Sequence, residues 1–217
     1  DYRFRDDLIF GIAGGYDRAD TDIESAGGEL DADAYSVSLY GTYYQGERWY
    51  FDGIVTYGRN DYDQKRNIQY QIGNVSVNQT ASADYDGNRW SAALGGGYSL
   101  SSGPWTYGPE VRLQYVSAEV DGYSEQISNP SADGGAWATS LGDLDQESFT
   151  STIGGNLSRA VSTSWGVVLP QLGLSWVHEF KDDGLTINGF FIEDPTRSVF
   201  TISGDKPDTD HFNARLG

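Results

Sequence analysis

The chain has 217 residues, of which 38% are hydrophobic, and it carries a formal net charge of −18 with no cysteine and no methionine. The lack of cysteine excludes a disulfide scaffold, a thiolate zinc site and a cysteine nucleophile, and 32 acidic residues against 14 basic ones argue against nucleic acid as a partner. The longest apolar stretches fall far short of the roughly 20 residues that a membrane-spanning helix needs. Because an aromatic content of 14% contradicts disorder, the sequence predicts a folded chain, and its length favours one domain.

Alternation of apolar and polar residues with a period of two predicts β-strands along much of the chain. In chain order, the alternating segments are residues 35–44, 49–58, 89–98, 107–115 and 171–180. In segment 107–115, apolar or aromatic residues occupy the odd positions, while Glu110, Arg112 and Gln114 occupy even ones. A soluble antiparallel sandwich alternates in the same way, so this pattern leaves both a soluble sandwich and a membrane barrel open.

The connections between these strands alternate between short turns and long polar segments. Short turns are predicted at residues 5–7, 45–48, 101–104 and 162–164, and long loops at residues 17–33, 60–88, 119–147 and 181–210. Outer-membrane barrels have this arrangement, with one rim of tight turns and one rim of long loops. The sequence therefore predicts an all-β, transmembrane antiparallel up-and-down β-barrel, with its long loops extracellular and its short turns periplasmic.

Aromatic residues recur near both ends of the predicted strands. About eight to eleven residues separate the two sets, and at ~3.3 Å per residue and a tilt of about 40° they span roughly 20–28 Å, which fits a hydrocarbon core. Tyr and Trp favour the bilayer interface because their rings have an apolar body and a polar tip. We predict as membrane-interface aromatic residues Tyr16, Tyr35, Tyr43, Trp49, Tyr57, Trp90, Tyr98, Trp105, Tyr115, Trp165, Trp176 and Phe180.

The opposite face of the predicted strands is polar and carries charges of both signs. Burying such charges unpaired in a dry core costs several kcal/mol each, whereas a hydrated or plugged lumen lets them pair or stay in water. We therefore predict a lumen lined by Arg3, Asp52, Arg89, Glu110, Arg112, Gln114, Glu179 and Arg215.

The predicted loops hold most of the acidic residues, among them Asp17, Asp20, Asp22 and Glu24. An EF-hand needs oxygen ligands at fixed positions, a glycine at the sixth and a glutamate at the twelfth, and these clusters lack that spacing. We predict no metal site and no cofactor. The remaining interpretation is a solvated loop surface whose carboxylates bridge lipopolysaccharide through divalent cations.

Two histidines raise the alternative of an omptin-like surface protease, since His178 stands beside Glu179 and His211 beside Asp210. General-base catalysis requires the base to reach its proton donor. Strand alternation instead places His178 on the lipid face with Trp176, so we predict no catalytic residue.

Several segments look familiar: residues 1–4 ahead of residues 8–16, then residues 52–63, 170–180, 194–196 and 208–212. Together they resemble the translocator domain of bacterial autotransporters, the type V secretion family of Gram-negative bacteria. The resemblance implies a twelve-stranded outer-membrane barrel that exports and anchors an N-terminal passenger domain, with a linker helix in its lumen. It also implies membrane lipid as surroundings and the barrel-assembly machinery as a partner during insertion.

About eight of those strands, with pieces at both ends, are recognisable here. We therefore expect residues 1–217 to be a single barrel domain that is truncated at both ends. The barrel itself is expected to be non-enzymatic, although an enzyme can form the passenger upstream. A small porin-like or plugged barrel without a passenger is the alternative.

Overall fold

The computed structural model describes residues 1–23, 27–46 and 48–217. Its only helical turn in that part of the chain is a 3-10 turn at Gly135–Trp137. The strands, in chain order, are β1 (Tyr2–Arg5), β2 (Leu8–Ile23), β3 (Gly28–Gln45), β4 (Trp49–Ile72), β5 (Val75–Tyr98), β6 (Leu100–Ser102), β7 (Trp105–Val120), β8 (Tyr123–Ser124), β9 (Gln126–Ile127), β10 (Thr139–Leu141), β11 (Leu144–Arg159), β12 (Val161–Thr163), β13 (Gly166–Val168), β14 (Gln171–Glu179), β15 (Thr186–Phe191), β16 (Phe200–Ser203) and β17 (Asp210–Leu216).

One large antiparallel sheet dominates the fold. Its strands follow the order β1-β2-β3-β4-β5-β7-β11-β14-β17, with β6 added to β7 and β9 to β5. Each long strand therefore pairs with the next long strand of the chain, which is the up-and-down arrangement that the sequence predicted. All five predicted strand segments lie in this sheet, in β3, β4, β5, β7 and β14, except that Phe180 follows the end of β14 at Glu179. Among the described residues, no helix is long and apolar enough to cross a membrane.

Two of the four predicted long loops are wrong, because their residues continue the strands. Within residues 17–33, β2 runs to Ile23 and β3 begins at Gly28; Glu24 lies outside the described residues. Within residues 60–88, β4 runs to Ile72 and pairs with β5 from Val75. Only two residues connect these strands, and Gly73 adopts a positive φ of 58°, as a tight hairpin turn requires. A hairpin that projects into water needs no continuous apolar face, so its polarity imitates that of a loop.

The four predicted short turns are confirmed, since hairpin connections lie at or next to all of them; Glu47, in the second, lies outside the described residues. The other two predicted loops contain short elements. Segment 119–147 holds β8, β9 and β10, and segment 181–210 holds β15 and β16. Four of these strands form a separate sheet in the order β16-β15-β10-β8.

Few apolar side chains are buried, whereas many are exposed. Seven hydrophobic residues of the described chain are buried, and four of them are alanines. Large apolar residues in the middle of the long strands are open instead, for example Ile12 (68% exposed), Leu39 (62%) and Leu94 (67%). A soluble sandwich would bury such residues in a core. Their exposure fits a sheet whose apolar side faces lipid.

The main packed core lies in the extension of the β4–β5 hairpin. Ile68, Val77 and Ala81 are buried there, against Tyr70 and Ile127. The last of these belongs to residues 121–141, which we call the loop layer because they cover one side of the extended hairpin. The buried Gln79 ties the layer down, since its oxygen accepts from the Ser128 hydroxyl at 2.6 Å.

A buried ion pair also holds the loop layer. The Glu125 carboxylate accepts from Arg66 Nε at 2.9 Å and Nη2 at 2.6 Å, and from Thr139 through its backbone N at 2.9 Å and its hydroxyl at 2.7 Å. Burial alone would raise the pKa of Glu125, but the hydrogen bonds from Arg66 and Thr139 outweigh it and hold the pKa below its ordinary value. Rings of Tyr62, Tyr85 and Tyr123 stack beside this pair, with centroids 5.0 and 4.1 Å apart.

Candidate functional site

The register of the large sheet divides its residues into two faces. One row joins Thr42, Asp52, Gly95, Arg112 and Thr152 across five strands. We call the side defined by Asp52 and Arg112 the polar face. The other side, which we call the apolar face, carries the row of Gly53, Leu94 and Leu113.

All eight residues predicted to line a lumen lie on the polar face. Asp52, Arg89, Glu110, Arg112 and Gln114 follow directly from the register of β4, β5 and β7. The remaining three join the same side through their neighbours: Arg3 through Ile9 and Thr42, Glu179 through Thr150, and Arg215 through Gly173 and Asn156. The register thus groups these residues, while their contact with a water-filled lumen stays a prediction.

Two acidic side chains on the polar face, Asp52 and Glu179, have partners in the wall. Arg112 Nη2 donates to Asp52 Oδ2 at 2.6 Å, and Gly95 makes room for that carboxylate, since a Cβ there would lie 2.7 Å from Asp52 Oδ1. Glu179 accepts from the Ser148 hydroxyl at 2.5 Å and from two backbone N–H groups at 2.8 and 2.9 Å.

Aromatic rings on the polar face lie over glycines of the neighbouring strand. A Cβ at Gly11 would lie 2.2 Å from Tyr40 Cζ, and a Cβ at Gly97 would lie 2.5 Å from the Tyr50 hydroxyl. Such aromatic–glycine pairs fix strand register and fill the space that the glycine leaves. The glycine run at residues 95–97 therefore has two members on the polar face, whereas Gly96 lies on the apolar face.

The apolar face carries the predicted interface aromatics that lie on strands. At the loop ends, the rings of Tyr16 and Tyr35 are 5.1 Å apart and those of Tyr57 and Trp90 are 4.7 Å apart. The remaining loop-end residues are Tyr115 on β7, Trp176 on β14 and Phe180 just after β14. At the turn ends, the predicted residues are Tyr43, Trp49, Tyr98 and Trp105; Trp165 lies in the β12–β13 turn and is 78% exposed.

One recurring arrangement at the loop ends escaped the sequence reasoning. Tyr16, Tyr57 and Trp176 donate to side-chain oxygens of the next strand of the sheet at 2.6, 2.7 and 2.9 Å, and Tyr115 does the same. In every case the acceptor lies two residues before an aromatic residue of that strand, on the side nearer the loops. The four acceptor segments are Asp33-Ala34-Tyr35, Asn88-Arg89-Trp90, Glu147-Ser148-Phe149 and Asp210-His211-Phe212. The sequence signal that could have predicted these hydrogen bonds is the repeat of an acceptor, any residue and an aromatic residue, which we call the acceptor-x-aromatic repeat.

The histidines do not form a catalytic pair with their sequence neighbours. His178 Nδ1 lies 2.9 Å from Asp210 Oδ1 on the adjacent strand, at the apolar face, between Trp176 and Phe180. His211 is on the polar face through its register with Val177, and no carboxylate contact joins it within the described chain. Nor do the described residues contain a group of three or more His, Cys, Asp or Glu side chains arranged to hold a metal ion.

The autotransporter beta-domain family matches residues 1–217. The chain belongs to the autotransporter beta-domain family. It is an outer-membrane translocator domain with an antiparallel β-barrel fold, as the resemblance in the sequence implied.

Two solved structures share this fold. The translocator domain of the autotransporter NalP from Neisseria meningitidis matches with a TM-score of 0.61 and 15% identity, over 99% of this chain and 75% of that one. The beta domain of the Bordetella autotransporter BrkA matches with a TM-score of 0.51 and 18% identity, over 96% of this chain and 82% of that one. At these identities the likeness concerns the fold.

Curated relatives are considerably longer. Esterase EstA of Pseudomonas aeruginosa is 27% identical over 219 residues, covering 98% of this chain and 31% of that protein. A Pseudomonas putida protein described as an uncharacterized protein in the trpE-trpG intergenic region is 29% identical over 215 residues, covering 96% of this chain and 33% of that protein. This autotransporter domain thus spans about a third of the length of the curated relatives that it matches.

Proposed function

We propose that this translocator domain exports an N-terminal passenger domain through its lumen and then anchors the passenger at the cell surface. The observation that carries the proposal is the division of one continuous antiparallel sheet into an exposed apolar face and a charged polar face. In a barrel, the apolar face contacts lipid and the polar face lines an aqueous passage. Residues 1–217 act in this proposal as one barrel domain.

The passenger that the relatives favour is an enzyme of the esterase type. Esterase EstA has about twice the length of this chain outside the matched region, and its name describes an ester-hydrolysing protein. The barrel contributes no reacting group to such an activity, so hydrolysis would belong to the passenger alone. The omptin-like alternative gains no observation in its favour, since His178 pairs with Asp210 on the apolar face. The porin-like alternative differs from the proposal in having no passenger.

The length of the parent polypeptide tests the passenger. Mass spectrometry of the intact protein from detergent-extracted outer membranes should give a parent several hundred residues longer than this chain on its N-terminal side. Intact cells that express it should then hydrolyse a soluble chromogenic ester, and surface proteolysis should abolish that activity. A parent barely longer than 217 residues would overturn the proposal and favour a small barrel.

Orientation is a second part of the proposal: the long hairpins and the loop layer face the outside, and the tight turns face the periplasm. Because the chain has no cysteine, a single introduced cysteine gives an unambiguous label within it. Ser131→Cys in the loop layer should react with a membrane-impermeant maleimide on intact cells, and Ser102→Cys in a turn should react only after permeabilisation. The reverse result would invert the orientation.

Two partners belong to the same proposal. The barrel-assembly machinery would insert the domain, so depletion of that machinery should reduce the folded, membrane-embedded fraction. Lipopolysaccharide would surround the loop ends, where Asp61 and Asp63 pair in register with Asp86 and Asp84. Carboxylates at that height can bridge anionic headgroups through divalent cations. If the machinery is depleted and the folded fraction is unchanged, the insertion part is wrong.

A further inference from the structure

The far end of the β4–β5 hairpin differs in charge from the strand segments that lead to it. Residues 67–83 contain no Asp, Glu, Lys, Arg or His. The same two strands are densely charged on either side of this run, with Lys65 and Arg66 before it and Asp84 and Asp86 after it. The core of a protein–protein interface is depleted of charged residues in the same way. The uncharged end of the hairpin therefore has the composition of an interface.

Apolar side chains are exposed at this end of the hairpin, far from lipid. Ile72 and Val75 face each other in register across the turn, and they are 69% and 45% exposed. Ile72 comes about 15 residues after Tyr57, the loop-end aromatic residue of β4, so at ~3.3 Å per residue it lies roughly 50 Å farther along the strand. Contact with the bilayer explains the exposed apolar residues between the two aromatic ends of the strands, but it cannot explain these two.

The apolar surface continues from the hairpin onto the loop layer. Tyr70 precedes Ile72 by two residues, so both side chains lie on the same face of β4. The Trp137 indole donates to the Tyr70 hydroxyl at 2.6 Å, and Trp137 is 44% exposed. Phe191 of β15 packs edge-on against Trp137, with ring centroids 5.4 Å apart. We call Tyr70, Ile72, Val75, Trp137 and Phe191 the hairpin-end patch.

The hairpin-end patch lies on the side of the sheet that continues the polar face. Ile72 and Asp52 both occupy even positions of β4, whose pairing with β5 is continuous from Trp49 to Ile72. The loop layer covers this same side through its contacts with Arg66 and Gln79. Since the polar face of a barrel lines the passage, its continuation above the bilayer borders the mouth. A segment that leaves the lumen towards the outside therefore passes the patch.

We propose that the hairpin-end patch docks the passenger domain, the part of the same polypeptide before Asp1, through an uncharged and apolar surface of that domain. The inference rests on the proposed function and adds to it the surface that holds the passenger after export. The curated relatives have about two thirds of their length outside the region that this chain matches, so a domain large enough to reach the patch is expected.

The size of the patch favours the passenger over a separate partner. Two separate proteins that associate stably bury ~800 Å² on each side, which is far more than the three exposed side chains Ile72, Val75 and Trp137 provide. The passenger is instead tethered to the barrel, and a short tether gives an effective concentration in the millimolar range. A weak contact is then sufficient to hold it.

Site-specific photo-cross-linking of the full-length protein on intact cells tests the docking. With p-benzoylphenylalanine in place of Val75, irradiation should join the hairpin end to a peptide of the passenger, which mass spectrometry identifies after digestion. The matched control places the same amino acid at Ser76, which is exposed on the opposite face of β5, and should give about fivefold less of this product. Equal yields at the two positions, or a cross-link to a second copy of the barrel or to lipopolysaccharide instead of the passenger, overturn the inference.

A charge placed in the patch tests its apolar character. With the cross-linker at Val75, Ile72→Lys should lower the yield about fivefold, because docking would bury an unpaired ammonium group. Gln71→Lys adds the same charge on the opposite face of the hairpin end and should leave the yield unchanged, and Ile72→Leu should retain it. Both positions are exposed, so the barrel should stay folded, which its heat-modifiable migration in gel electrophoresis checks. If Ile72→Lys cross-links as well as the wild type, or if both Lys variants lose the yield equally, the inference is wrong.

The presence of the passenger separates this inference from the proposed function. A passenger that is exposed on the cell surface but gives no cross-link to position 75 overturns only the inference. A parent polypeptide without a passenger overturns both.

Discussion

Replacement of Glu125 by Gln should selectively loosen the loop layer. Glu125 has a side chain that is 3% exposed and receives two hydrogen bonds from Arg66 and two from Thr139. Gln keeps the shape, but it removes the charge and points an N–H₂ group at donors. Removal of one partner of a buried ion pair costs about 3–5 kcal/mol. Because the Arg66 side chain is 37% exposed and can rehydrate, we expect a smaller cost of about 2–3 kcal/mol.

Hydrogen–deuterium exchange measures this cost locally. Amides of the loop layer, residues 121–141, exchange through its opening, so 2–3 kcal/mol corresponds to roughly 30- to 150-fold faster exchange. The matched control is Glu29→Gln, which breaks the exposed pair with Lys65 and should change exchange by no more than the small amount typical of surface pairs. Equal exchange of the loop layer in E125Q and wild type would refute the reasoning, as would equal acceleration throughout the long strands.

Three further predictions concern pH, the aromatic tips and the glycines. The pKa of Glu125 in the folded protein lies below its ordinary value of 4.5. Its contribution to the stability of the loop layer is therefore fully present above pH 4.5 and is lost as pH falls through the lowered pKa. Exchange of the loop layer should accelerate in that acidic range in the wild type and not in E125Q. Tyr57→Phe removes the hydrogen bond to the next strand and should lower the unfolding free energy in detergent by about 1 kcal/mol, whereas Tyr43→Phe, at the turn end, should change it little; equal effects would contradict a specific role of the hydroxyl. Gly97→Ala places a Cβ against the tyrosine ring that covers it and should cost about 1–3 kcal/mol in urea unfolding, while Gly14→Ala, whose Cβ meets nothing nearer than 3.8 Å, should be nearly neutral.

Strand periodicity could be predicted within the bilayer because lipid on one side and polar surroundings on the other impose it. Outside the bilayer, strands need no apolar face towards lipid, so the alternating pattern is lost. For this reason residues 60–88 were wrongly predicted to be a loop. There the hairpin is stabilised by backbone pairing and by the loop layer. Its contacts join residues far apart in the chain, such as Arg66 with Glu125 and Gln79 with Ser128. The alternation of residues along a single strand does not predict such long-range pairs.

The hydrogen-bond partner of His178 was also missed by prediction from the sequence. Sequence proximity suggested that His178 acts with Glu179, yet adjacent residues of a strand point to opposite faces. The actual partner, Asp210, comes from the next strand and depends on register. That register was accessible in principle, because Asp210 opens one of the four acceptor-x-aromatic segments. Recognition of the repeat would have paired Trp176 with Asp210 from the sequence.

Register also explains why charge is distributed so unevenly over this chain. Acidic residues concentrate in the extended hairpins, where Asp61 and Asp63 face Asp86 and Asp84. Like charges directly opposite each other are destabilising, so their repulsion is tolerable only in water, and in part because Arg59 bridges Asp61 and Asp86. Neither acids nor arginines can face lipid without a large cost. Between the two aromatic ends of the strands, charged residues therefore have the polar face as their only favourable location.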